Sequence, residues 1–67
     1  MIEKFVSYKE RNGIIERDRD IWMVKIANGK YYISCNGNPI CYGTAQPGMS
    51  CERVLRNCSG KQFMKVS

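Results

Sequence analysis

Between residues 21 and 35 the chain reads as a β-hairpin: two alternating apolar runs, Ile21–Ala27 and Lys30–Cys35, flank an Asn28-Gly29 pair. Asn-Gly suits a two-residue turn because both central residues need positive φ. A turn at these residues pairs Trp22 with Cys35, Met23 with Ser34, Val24 with Ile33, Lys25 with Tyr32, Ile26 with Tyr31 and Ala27 with Lys30. Side chains alternate across a strand, so this register sorts them into two faces. Trp22, Val24, Ile26, Tyr31, Ile33 and Cys35 form the core face. Met23, Lys25, Ala27, Lys30, Tyr32 and Ser34 form the other.

The remaining elements follow from similar signals. A third strand is expected from Ile40 to about Ala45, after Asn36-Gly37-Asn38-Pro39, with Pro39 admissible at a strand start. An odd-length loop places Cys35 opposite Cys41 and turns Cys41, Gly43 and Ala45 to the core, with Ile40, Tyr42 and Thr44 outside. An even-length loop swaps the two sets. Ser50 is a good helix N-cap, and Gly60 stands where a helix commonly stops. Met49 and Val54 are placed as a hydrophobic staple. Cys51, Val54, Leu55 and Cys58 make one apolar stripe at helical spacing, meant for the Trp22/Val24/Ile33 face. Arg53, Arg56 and Asn57 point away, and Glu52 can pair with Arg56. Gln62 to Val66 reads as a final short strand. Lys4–Lys9 is expected to pair with Ile14–Arg17 across Asn12-Gly13, and Glu16–Asp20 reads as a solvated edge strand or loop. The fold class is α+β: an antiparallel sheet of four to five strands with one helix on one face, in the order β-β-β-β-α-β, as a single domain over residues 1–67.

Size bounds what such a domain can do. A chain of 67 residues holds one core, and stability of roughly 3–5 kcal/mol is expected for that length. A partner then meets a face rather than a deep cavity.

The net charge of +5 is uneven. Residues 1–20 are neutral, while residues 21–67 set Lys25, Lys30, Arg53, Arg56, Lys61 and Lys65 against Glu52 alone. Such an excess attracts nucleic acid or an acidic protein surface, although it is also ordinary for a soluble small domain. The N-terminus mixes charge where a secretory signal has an apolar stretch, so the expected compartment is the cytoplasm.

Candidate chemistry is sparse. The four cysteines follow C-x5-C-x9-C-x6-C, unlike any Cys/His zinc spacing, and there is no histidine. All four are expected to converge on the core as buried thiols. A Cys35–Cys41 disulfide and a four-thiolate zinc site are the alternatives. Glu16, Asp18 and Asp20 share a strand face, but the intervening arginines argue for mutual neutralisation rather than a metal. No nucleophile motif, P-loop or dinucleotide fingerprint is present. The chain is therefore expected to be no enzyme and to need no cofactor.

What remains is the outer sheet face. Met23, Lys25, Tyr32, Ser34 and Tyr42, with Arg53 and Arg56 of the helix, are the expected partner-binding residues. Tyr and Met are enriched at protein interfaces, and an aromatic, basic sheet face also serves base stacking. The strand–strand–strand–helix order of residues 21–58 resembles, in topology alone, the three-stranded, one-helix DNA-binding modules at integrase N-termini. Those modules present several basic residues to the groove, whereas Lys25 and Lys30 are the cations expected on this sheet. The leading expectation is a small phage or mobile-element protein that modulates or inhibits a larger, nucleic-acid-handling protein by surface docking. Direct DNA or RNA binding is the alternative, and closure of the face in a homodimer is left open.

Overall fold

The computed structural model describes residues 1–66. It is a five-stranded antiparallel sheet in the order β4-β3-β2-β1-β5, with one helix across one face. The elements are β1 (Ile2–Arg11), β2 (Ile14–Ala27), β3 (Lys30–Cys35), β4 (Asn38–Thr44), α1 (Cys51–Cys58) and β5 (Gln62–Lys65). All three Asn-Gly pairs are two-residue hairpin turns, with φ near +53° at Asn12, Asn28 and Asn36 and positive φ at the glycine that follows each. The Asn28-Gly29 turn sets the expected β2–β3 register pair for pair, from Trp22↔Cys35 to Ala27↔Lys30.

The β3–β4 hairpin corrects one expectation. Its loop, Asn36-Gly37, is even in length, and Cys35 lies opposite Asn38 rather than Cys41. A bulge then inserts Ile40 between the Ser34↔Pro39 and Ile33↔Cys41 pairs. The extra residue reverses the parity, so Cys41 and Gly43 face the core after all. Gly43 is needed there. A Cβ at this position would stand 2.6 Å from the Tyr31 hydroxyl and 2.8 Å from its ring.

The N-terminal hairpin is longer than expected. β1 pairs with the whole length of β2, from Ile2↔Lys25 to Arg11↔Ile14, with a wide bulge that sets Asp18, Arg19 and Asp20 opposite Ser7. Because β5 reaches only Tyr8 and β3 only Trp22, the far end of this hairpin projects as a bare two-stranded arm. The molecule is accordingly elongated, 41 × 23 × 19 Å.

The helix forms where the caps ask for it. Ser50 accepts the Arg53 N–H at 3.2 Å, and the chain leaves the helix at Ser59, whose N–H still reaches the Leu55 carbonyl. Cys51, Val54 and Leu55 are buried against Phe5, Trp22, Val24, Ile33 and Phe63, and Met49 packs on the edge of that cluster. Phe63 meets Trp22 edge to face at 5.4 Å. Cys58, the fourth residue of the stripe, is exposed. An eight-residue helix is about 12 Å long, and its last residue lies outside the buried cluster, beside the Cys41 thiol of β4.

Candidate docking face

Side chains that pair across strands share a face, so the ladders define what the helix leaves uncovered. One row runs Tyr42–Tyr32–Lys25–Ile2 across four strands. The next runs Pro39–Ser34–Met23–Lys4, and a third Ile21–Val6–Met64. The first row is open, with Tyr42 79% and Tyr32 45% exposed. Between the rows lies a shallow depression of about 260 Å³, lined by Met23, Lys25, Tyr32, Ser34, Pro39 and Tyr42 among others.

Five of the expected residues (Met23, Lys25, Tyr32, Ser34 and Tyr42) are thus brought together. Arg53 and Arg56 are not. They project from the solvent side of α1, which covers the opposite face of the sheet, and Arg56 is held by Glu52 at 3.1 Å. A single flat partner cannot touch both sets. The sequence reading missed Ile2, Lys4 and Ile21, which share the open face because β1 lies beside β2. The signal was the parity of the long Asn12-Gly13 hairpin, obscured by the bulge at residues 18–20. Val6 was also missed: it faces the open side yet is only 7% exposed, flanked by Ile21 and Met64.

The cysteines are free. Burial pushes the Cys51 thiol up to about 11, helped by the carboxyl of Glu3, and pushes Cys41 up to about 11, helped by the neighbouring Cys58 thiol. At neutral pH both stay protonated and are poor nucleophiles and poor metal ligands. Glu3 itself is held below its ordinary range by Lys65, 2.8 Å away. Among the described residues no group of three or more His, Cys, Asp or Glu side chains is placed to hold a metal ion. Among the same residues no helix is long and apolar enough to cross a membrane.

The arrangement offers area, aromatic edges and cations. Comparison with known proteins finds no matching family model, no similar curated protein and no similar solved structure.

Proposed function

We propose that this chain is a non-catalytic binding protein that docks through the open face of its sheet onto a larger protein and modulates it. The observation that carries this reading is the uncovered Tyr42–Tyr32–Lys25–Ile2 row beside Met23. Tyr and Met supply contact area, and the lysine supplies orientation toward an acidic rim. Direct nucleic-acid binding is the weaker alternative. The face holds Ile2, Ile21, Met23 and Met64, aliphatic side chains that cannot stack as bases require, and Arg53 and Arg56 lie on the far side. Four free cysteines suit a reducing, cytoplasmic setting. A modulator of a nucleic-acid-handling protein, of the kind phages and mobile elements encode, fits the size and charge.

Affinity capture from a host lysate, with and without nuclease, tests the reading. The expected result is one protein retained after nuclease and lost with the Tyr32→Ala/Lys25→Glu variant. Retention by that variant refutes the face, and loss on nuclease treatment transfers the face to nucleic acid.

A further inference from the structure

The segment Glu16-Arg17-Asp18-Arg19-Asp20 alternates sign at every residue, and it lies inside β2. A strand also alternates its faces at every residue. The two periods coincide, so the strand separates the charges instead of neutralising them. Asp18 and Asp20 turn toward the helix side, where Ser7 donates to Asp18 at 2.6 Å and Asn36 donates to Asp20 at 2.9 Å. Arg17 pairs across to Tyr8 and, with Arg19, keeps the parity of Ile21, Met23 and Lys25. Both arginines therefore stand on the open side.

The register now gives the charge of that whole face. Among the described residues it carries Lys4, Arg17, Arg19, Lys25 and Lys30, with Glu10 at the arm tip as the sole carboxylate. Among the described residues none of these five cations has a carboxylate within ion-pairing distance. Three carboxylates on the helix side are occupied instead, Glu3 by Lys65, Asp18 by Ser7 and Asp20 by Asn36, while Glu16 shares that side with Lys9 across the arm. The sheet is polarised through its thickness.

We infer that Arg17 and Arg19 extend the docking face along the arm, and that its occupant is a protein surface with an apolar centre and a carboxylate rim. This rests on the docking role proposed above. The apolar centre is required by Ile2, Ile21, Met23 and Tyr32, and the rim by the cations on both sides of them. A second copy is excluded as occupant by the same charges, because a twofold contact through this face would bring ten cations together over two carboxylates. A nucleic acid would satisfy the cations and leave Ile2, Ile21 and Met23 uncovered.

The inference is tested by titrating the isotope-labelled full chain, followed by amide NMR, with a random glutamate–tyrosine copolymer. A 20-base-pair DNA duplex and a 20-nucleotide single strand are run beside it at equal charge concentration. The copolymer is expected to shift amides along β2, both at residues 17–21 and at 23–25, and to leave α1 unmoved. Arg17→Gln/Arg19→Gln is expected to weaken binding roughly fivefold to tenfold, as the loss of two exposed ion pairs does. Arg53→Gln/Arg56→Gln is expected to change nothing. Both arginines of the arm are exposed, and an unchanged amide spectrum in the free variants confirms that the fold is kept. If only Lys25→Gln/Tyr32→Ala weakens binding, the extension along the arm is wrong while the docking face stands. If neither pair matters, both readings fall. Tighter binding of either DNA overturns the partner class.

Discussion

On the helix side of the sheet, Phe5, Val24, Ile33 and Leu55 are at most 2% exposed, and the carboxylates of Glu3, Asp18 and Asp20 each have a partner. On the open side Tyr42 is 79% exposed, and among the described residues five cations have no carboxylate partner. The same strands build both faces, residue by alternate residue. The difference shows that burial and exposed charge fall to separate sets of side chains, even where the two sets are adjacent in sequence; under the docking role proposed above, stability and recognition divide along the same line. Val24 holds the fold; Lys25 beside it is free to meet a partner. In a domain this small the separation matters, because every apolar group spent on a docking face is unavailable to the core.

The sharpest way to break this contrast is to cut into the helix side. Phe5→Ala or Leu55→Ala removes a large, fully buried side chain that cannot be replaced by neighbours, at a cost of about 3–5 kcal/mol. That equals the whole stability expected of a domain this size. Either variant should be unfolded at 25 °C by amide NMR. A folded Phe5→Ala chain with a denaturation midpoint near the parent's would show that the core lies elsewhere.

A second cut lies at the edge of the same face. Gly43→Val places a side chain where the Tyr31 ring now rests, within 2.8 Å of it. Overpacking of this kind costs about 1–3 kcal/mol. Adding Tyr31→Ala to the valine variant should recover part of the loss, since the ring is the obstacle. Strict additivity of the two changes in urea unfolding would mean that the two residues do not touch.

These two sites differ in how readable they were. The Asn28-Gly29 turn, with alternating runs on both sides, fixes the Trp22-to-Ala27 register and the core face without any coordinates. The inward turn of Gly43 was readable only conditionally, because it depends on the bulge at Ile40, and a bulge leaves no mark in the hydrophobic pattern. Cys58 was expected to be buried, but it closes the helix outside the core cluster, exposed beside the Cys41 thiol. Arg17 and Arg19 were overlooked for a different reason. Alternating charges invite the thought of neighbouring ion pairs, which holds for a loop and is false for a strand. The pairing of β1 with β2, visible as a ladder, is what makes the distinction. The open face itself was legible at Met23, Lys25, Tyr32, Ser34 and Tyr42, and illegible where β1 contributes to it.

Smaller effects test the border between the faces. Ser50→Ala removes the acceptor for the Arg53 N–H and should cost about 1 kcal/mol, with Ser50→Asp restoring most of it. Full stability in the alanine variant would detach the helix start from the fold. Alkaline pH probes the same side. Cys41 and Cys51 have folded pKa values of about 11, above the ordinary thiol value of 9.0. The unfolded chain therefore loses these protons first as pH rises. Their contribution is complete below pH 9 and declines from there through 11. Thermal denaturation should show no thiol-linked change between pH 6 and 8 and a falling midpoint above 9. A midpoint that rises over that interval would place these thiols in a setting that favours the thiolate.

The smallest change in stability is expected where the largest change in binding is. Tyr42 lies on β4, an edge strand, and about four-fifths of its surface is in water. Tyr42→Ser removes little buried area and no hydrogen bond among the described residues, so unfolding should shift by less than about 0.5 kcal/mol. Tyr32, half as exposed and flanked by Lys25 and Tyr42, should cost slightly more when cut to alanine, because cross-strand neighbours contribute some tenths of a kcal/mol. A loss near 2 kcal/mol in either variant would mean that the open face also holds the sheet together, and the separation of fold from docking would fail at that residue. A loss within the small range, with capture of the partner gone, is what a face kept for another molecule requires.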